Sequence, residues 1–505
     1  MVSRGRLLLG AIALTIASLL AAPAAWSARS LERAVGVDGI TKHLKALQRI
    51  ADRNDGNRAS GLPGFDASVE YVRDKLKRAG YETSVQKFDF DLYEEQADPE
   101  FEQLTPEAKT YTLDEDFVSM TFSGSGEASA AVTPVDVVLP PSDDPAGAST
   151  SGCEAADFAG FPVGNIALLQ RGTCDFGQKA QNASDAGASG AIIFNEGQEG
   201  RQDLLAGTLG DFRPGIPTVG TTFDVGQELA SQSGPTARIE VTSTITPSSS
   251  KNVIADTKRG RENRTVVVGS HLDSVAEGPG INDNGSGSAQ NLEMALQMSK
   301  LEIKPRNQVR FAFWGAEESG LVGSNHYVSE LSKKETRAID LNLNFDMVGS
   351  PNFARFIYDG DGDAFEQEGP AGSAGIERSF ERAFEAKDLA TEPTAFDGRS
   401  DYLGFIEAGI PAGGLFSGAE EIKTEEQVEL YGGTAGEAFD ACYHQECDDI
   451  DNVSDKALNQ FSNAAAQVTF KYAQRKQPIG GSEPQTARSG ARGAGADHLG
   501  ADLAR

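Results

Sequence analysis

Beyond residue 30, apolar positions recur every three or four residues, first as Ile40, Leu44, Leu47 and Ile50 and then as Val69, Val72 and Leu76. That spacing predicts two amphipathic helices, the second stopped by Gly80. The period then shortens, and Tyr81 to Phe90 reads as a strand. From about Ser123 to Thr150 the texture turns to Gly, Ser, Ala and Pro, with a strand expected at Val135 to Leu139, closed by Pro140 and Pro141, and a boundary there. A compact unit is expected next: a strand at Asn165 to Gln170, a helix bearing Phe176, Ala180, Ala183 and Gly187, and a strand at Ala191 to Asn195, ending near Gly215 to Val219. The Ser- and Thr-rich stretch Thr242 to Lys251 reads as a second boundary. Beyond it, helical and short apolar strand patterns alternate up to Tyr472, the last helix placing Leu458, Phe461, Ala465, Val468 and Tyr472 on one face. Alternation of that kind predicts an α/β fold with a mainly parallel sheet covered by helices.

The ends carry a different pattern. Arg4 and Arg6 precede an apolar run from Leu7 to Leu20 and then small residues, the layout of a secretory signal peptide with cleavage expected within Ala22 to Ala28. The run is shorter than a membrane span and exits into Ala-rich sequence. Residues from Arg475 onward are rich in Gly, Ala and Arg and are expected to be a disordered tail. The resulting division is 1–27 signal peptide, 28–125 and 249–474 two parts of one main domain, 126–248 an inserted unit, and 475–505 tail.

At 505 residues the chain holds more than one ordinary core. Its 75 Asp and Glu against 45 Lys and Arg give a net charge of -30. Such a surface repels phosphate backbones and anionic membranes, so neither is expected as a partner, and it suits a soluble, secreted, monomeric protein. In an oxidising compartment four cysteines suggest two disulfides. Each of the pairs Cys153 with Cys174 and Cys442 with Cys447 lies within one local region, although four cysteines allow three connectivities.

The candidate chemistry lies in the third segment, where three strand patterns each end in an acid or a histidine. Thr265 to Ser270 leads to His271 and Asp273, Val309, Phe311 and Phe313 lead to Glu317 and Glu318, and Leu341, Leu343 and Phe345 lead to Asp346. In an open α/β sheet the carboxyl ends of the strands open on one crevice, so these side chains should converge. Crowded carboxylates and imidazoles call for a compensating charge, and divalent cations supply it. Of five histidines, His43 is expected on the exposed face of its helix, His498 in the tail, and His326 at the start of a helix in a structural role. That leaves His271 and His444, the latter in the short loop between Cys442 and Cys447.

These residues resemble the co-catalytic double-zinc aminopeptidases, metallopeptidase family 28, especially the secreted bacterial leucyl aminopeptidases. The motifs are Ser270-His271-Leu272-Asp273-Ser274, Gly280-Ile281-Asn282-Asp283-Asn284-Gly285-Ser286-Gly287, Trp314-Gly315-Ala316-Glu317-Glu318-Ser319-Gly320, Asn344-Phe345-Asp346-Met347-Val348-Gly349 and Tyr443-His444. They stand in the family's order, and the resemblance covers Ile40 to Tyr472, interrupted by the unit around Cys153. The resemblance implies a zinc-exopeptidase fold, a mixed, mainly parallel sheet with helices on both faces. It implies two Zn2+ per chain, with His271 and Asp346 on one, Glu318 and His444 on the other, and Asp283 bridging. Glu317 would be the general base, Asp273 would accept the other N–H of His271, and Tyr443 would donate to the oxyanion. By the same resemblance Arg399 would bind the substrate backbone, Phe416 would wall the pocket for the N-terminal side chain, and Glu317 and Asp346 would anchor the substrate amine.

The unit around Cys153 resembles the protease-associated (PA) domain, a small α+β or β-rich insert, through Ile166 to Phe176 and Ala186 to Asn195. It carries no metal ligand or obvious nucleophile, and covering the cleft or spacing the chain are equally compatible roles. The activity implied is removal of large apolar, Leu-like N-terminal residues from peptides with a free amine. A carboxypeptidase on the same fold would need a basic cluster, for which Arg399 is the visible candidate. A one-zinc glutaminyl cyclase and a catalytically dead receptor are the other readings, and the full ligand set argues against both. A calcium ion is compatible with the family but has no assignable residues.

Overall fold

The computed structural model describes residues 31–479 apart from 140, 142–147, 199–200, 211 and 366. The expected leader lies outside these residues, as does the expected tail beyond 479. The two N-terminal helices form at Val37–Ala51 and Pro63–Arg78, and Pro63 opens the second, where its missing N–H is no loss. Their apolar stripes are buried as the spacing predicts. His43 is not on the exposed face. It is 4% exposed, with Nδ1 2.7 Å from the Tyr71 hydroxyl and Nε2 3.2 Å from Glu293, because a second and third helix close over that side.

The central strands run parallel in the order Ala412–Phe416, Ile339–Phe345, Arg261–His271, Asn307–Trp314. Antiparallel neighbours flank them, Phe356–Tyr358 on one side and the end of Thr236–Asp256 on the other. Successive side chains point to opposite faces. Val266 and Val268 therefore join the core formed with the helices Val37–Ala51, Pro63–Arg78, Gly287–Lys300, Ser373–Glu385 and Asp455–Ala473. Val267 joins Trp314, Tyr327 and Phe405 under the helices Val322–Ser329 and Leu403–Glu407 on the other face. The sheet is thus mixed, mainly parallel, and covered on both faces. His326 lies inside the Val322–Ser329 helix rather than at its start, 5.3 Å from the ring of Phe88.

The expected strand at Tyr81 to Phe90 continues much further, as Glu82–Thr105, paired antiparallel with Thr236–Asp256 along almost its whole length. The Ser- and Thr-rich stretch expected as a boundary is therefore continuous strand. It passes from one sheet to the other: residues 236–241 pair with Gly126–Pro134, and Val253 to Asp256 pair with the Trp314 strand. The inserted sheet continues through parallel strands Ile166–Gln170, Gly190–Phe194 and Thr218–Thr221. The helix Phe176–Asp185 covers one face and Phe223–Ser231 the other. Phe101, Tyr111 and Phe117, which precede residue 126, pack into this second core. No strand forms at Val135 to Leu139. The strand ends at Pro134, the Val138 amide donates to the side chain of Gln170, and Val138 is 45% exposed. Cys153 is bonded to Cys174 and Cys442 to Cys447.

Candidate active site

His271 is the last residue of its strand, Asp346 follows the end of the next, and Glu317 and Glu318 follow the Trp314 strand. Asp283 comes from the turn that leads into the helix Gly287–Lys300. The parallel register puts these ends side by side, as His271 faces Trp314 across the sheet. His444 arrives from far along the chain, on the loop closed by Cys442 and Cys447. There it holds a positive φ of 56°, a conformation non-glycine residues adopt only when held.

The geometry centres on Asp283. Its Oδ1 lies 3.1 Å from Nε2 of His271, and its Oδ2 lies 3.1 Å from Nε2 of His444. On the His271 side Asp346 Oδ1 is 3.1 Å away, and on the His444 side Glu318 Oε2 is 3.2 Å away. Glu317 Oε2 stands 4.0 Å from the His271 ring. Asp273 is fully buried, 3.6 Å from Nδ1 of His271, and receives the Glu317 amide at 3.4 Å. One carboxylate thus shows an oxygen to each of two imidazole–carboxylate pairs.

This cluster carries more negative charge than its own cations balance. Burial, helped by Asp401, Asp346 and Glu318 and opposed by His271, holds the Glu317 carboxyl well above its ordinary range. Burial and Asp283 push Glu318 up to about 7. Burial works against protonation of His444, yet Glu318 and Asp283 outweigh it and raise the imidazole to about 10. Asp283 goes the other way, because hydrogen bonds from both imidazoles overcome its burial. Retained protons of this kind mark a site short of positive charge, and oxygen and imidazole donors suit a divalent metal. The fit extends to Glu318 Oε1, which is buried without a hydrogen-bond partner among the described residues.

Around the cluster stand residues to which the sequence reading gave no role. Arg58, fully buried, donates to the carbonyls of Leu272, Pro279 and Gly280, tying the loop after His271 to the turn before Asp283. Burial lowers its pKa to about 10, which leaves it charged at neutral pH. Asp448 accepts the amides of Asn282 and Asp283 at 2.8 and 2.9 Å and so fixes the bridging carboxylate. Ser400 donates to Asp346 Oδ2 at 2.5 Å. Asp401, fully buried beside His271 and Asp346, is pushed up to about 8, chiefly by burial. An isolated arginine or aspartate in a loop has no periodicity to betray it.

Tyr443 stacks on the His444 ring at 3.8 Å, and its hydroxyl receives a hydrogen bond from Arg399 at 3.3 Å. The Arg399 guanidinium pairs with Glu420 at 2.8 Å and Glu421 at 3.8 Å, and the Arg399 amide donates to Asp397 Oδ1 at 3.1 Å. Phe416 is half-buried beside Phe356 and lines the same cavity as the cluster, with Met347 and Tyr358. A separate acidic group, Asp359, Asp361, Asp363 and Glu377, lies elsewhere, its buried members accepting backbone amides.

A doubly wound sheet whose strand ends present this donor set, with a further glutamate beside it, defines a metal-dependent hydrolase. The comparisons with known proteins agree. The model of peptidase family M28 matches residues 252–469, and that of the PA domain matches 133–229. The chain is 49% identical over 441 residues to an aminopeptidase of Pseudomonas aeruginosa, covering 87% of this chain and 81% of that one. It is 39% identical over 449 residues to leucine aminopeptidase 2 of Trichophyton tonsurans, covering 88% and 85%. Among solved structures, an aminopeptidase from Aneurinibacillus sp. strain AM-1 superposes with a TM-score of 0.69 at 27% identity, over 90% of this chain and 98% of that one. The chain belongs to peptidase family M28, with a PA domain inserted, and to the metallo-aminopeptidases within it.

Proposed function

We propose that the protein is a secreted aminopeptidase that works with two zinc ions and removes large apolar residues, leucine above all, from peptides with a free N-terminus. The observation that carries this is the pair of oxygens of Asp283, each 3.1 Å from a different imidazole. His271 and Asp346 would hold one ion, Glu318 and His444 the other, with Asp283 shared. When bound, the ions supply Lewis acidity that polarises the scissile carbonyl and makes a water a better nucleophile at neutral pH. Glu317, kept basic enough to hold a proton by its buried setting, takes one from the attacking water and hands it to the leaving amine. Tyr443 donates its hydroxyl to the developing oxyanion, and Arg399 fixes that hydroxyl's position. Asp273 orients the His271 ring from its Nδ1 side. Phe416, Tyr358 and Met347 give the N-terminal side chain an apolar wall.

The carboxypeptidase reading needs a cation free to meet a carboxylate. Arg399 is the one Lys or Arg side chain among the described residues lining the cavity, and Glu420 already engages it. Secretion is supported by the leader pattern of the sequence and by two disulfides. Among the described residues no helix is long and apolar enough to cross a membrane.

The test is hydrolysis of leucine p-nitroanilide by the mature protein, first after chelation and then during zinc titration. Recovery that completes near two zinc ions per chain is the expected result. Equal turnover of an N-acetyl-leucine substrate would sink the aminopeptidase reading.

A further inference from the structure

The cavity that holds the metal cluster encloses about 910 Å3, and the inserted unit and its long hairpin form one wall. Tyr93, Glu94 and Glu95 reach it from the hairpin, and Asp114, Phe122 and Thr208 from the segments beyond. Glu277 and Glu446, on loops of the peptidase domain, line the same cavity. Those two loops are in contact: a Cβ on Gly278 would lie 2.2 Å from the carbonyl oxygen of Gln445, so only glycine allows the approach. Glu277 and Glu446 are thereby held side by side at the mouth.

Charge is unevenly spread in this cavity. Twelve of the described lining residues are Asp or Glu, against the single arginine. Five of the twelve, Asp273, Asp283, Glu317, Glu318 and Asp346, belong to the cluster, where two divalent cations would supply four positive charges. Asp397 and Glu421 flank Arg399. Five are left over; Glu95 and Asp114 have partners, Glu95 in the Ser119 hydroxyl, whereas Glu94, Glu277 and Glu446 form no ion pair with a described residue. Carboxylates around a low-dielectric cleft focus their field into it.

Direction within the cleft says which part of a substrate meets them. The Phe416 side is closed by buried aromatic residues, Tyr358 and Phe396 stacked 5.3 Å apart, and suits a single side chain. Glu277 and Glu446 are exposed, and Glu94 is partly so. The remainder of a peptide whose first residue is held at the cluster has to leave on that side. We infer that Glu94, Glu277 and Glu446 select peptides carrying lysine or arginine within the first few residues after the cleaved bond. This rests on the aminopeptidase reading and adds to it a class of substrate.

The experiment compares three amidated peptides, Leu-Ala-Lys-Lys, Leu-Ala-Ala-Ala and Leu-Ala-Glu-Glu, with the zinc-loaded full-length enzyme and with the E94Q, E277Q, E446Q triple variant. The quantity read is the ratio of kcat/KM between the lysine and glutamate peptides, which cancels any inactive fraction of either protein. Wild type should favour the lysine peptide by about thirtyfold at low salt, chiefly through KM, and by about threefold or less at about 0.5 M salt. The triple variant should show the small ratio at both salt levels. A ratio near one in wild type, or a large ratio that survives in the variant, overturns the inference while leaving the aminopeptidase intact. Failure to cleave any of the three with zinc bound overturns the aminopeptidase reading as well.

Discussion

Glu317 and Glu318 are chain neighbours that meet different partners, since adjacent side chains on a turn point in different directions. Glu318 meets His444 at 3.2 Å, whereas Glu317 stands 4.0 Å from His271 and is free to move a proton. E317Q should therefore keep its zinc and lose kcat by about 10³, the range of a positioned base. Metal analysis beside steady-state kinetics checks both halves, and a variant with near-normal kcat would remove Glu317 from the reaction. A second buried group makes a prediction away from the site. Lys179 is fully buried in the inserted unit, donates to the Ser151 carbonyl at 2.6 Å, and is pushed by burial down to about 8. Below that pH it is charged in both folded and unfolded chains, and its burial is at its most costly. Between about 8 and the unfolded value near 10.5 the folded chain gives up its proton first, so stability rises with pH. Relative to Lys179→Met, wild type should gain about 2 kcal/mol from pH 7 to pH 10, read from urea midpoints. A constant difference would show an ordinary lysine.

Elements differ in how far local pattern betrays them. The helices and parallel strands of the peptidase domain form where 3.6- and 2-residue periods place them, because each buries a face that its own spacing defines. The long hairpin shows the limit of such reading. Thr242 to Lys251 looks like a linker from its Ser and Thr, but in the fold it pairs with the Glu82–Thr105 strand, whose hydrogen bonds are indifferent to side-chain polarity. Val135 to Leu139 shows the converse, an apolar run left without a partner strand. The loop carrying His444 is short, closed by the bond between Cys442 and Cys447, and His444 within it has a positive φ. Replacing both cysteines by serine should raise the zinc concentration needed for half-maximal activity about tenfold, with kcat restored at saturating zinc. Unchanged zinc dependence would mean that the hydrogen bonds from the amides of Cys442 and Tyr443 to Asp440 suffice.

At the scale of the whole molecule, the cluster of carboxylates and imidazoles around Asp283 is where distant parts are tied together. Arg58 from the N-terminal region, the ends of three strands, the Asp283 turn and the Cys442 loop meet there, buried and short of positive charge. Removing the cations should therefore loosen the fold as well as stop turnover. Zinc at about 100 times its dissociation constant should restore about 3 kcal/mol per site, seen as a rise of several degrees in Tm over the chelated protein. A Tm indifferent to chelation would contradict the ligand assignment. The sequence by itself determined which residue types stand at the ends of which strands and the family they spell out, because each of these is a matter of a few neighbouring positions. Tertiary structure alone decided that Asp283 faces both imidazoles, that His43 is buried against Glu293, that Arg58 and Asp448 brace the site, and that Glu94 of the hairpin lines the same cavity as Glu446. Those relations join residues tens to hundreds of positions apart, and they are set by sheet register and helix packing, to which no local period corresponds.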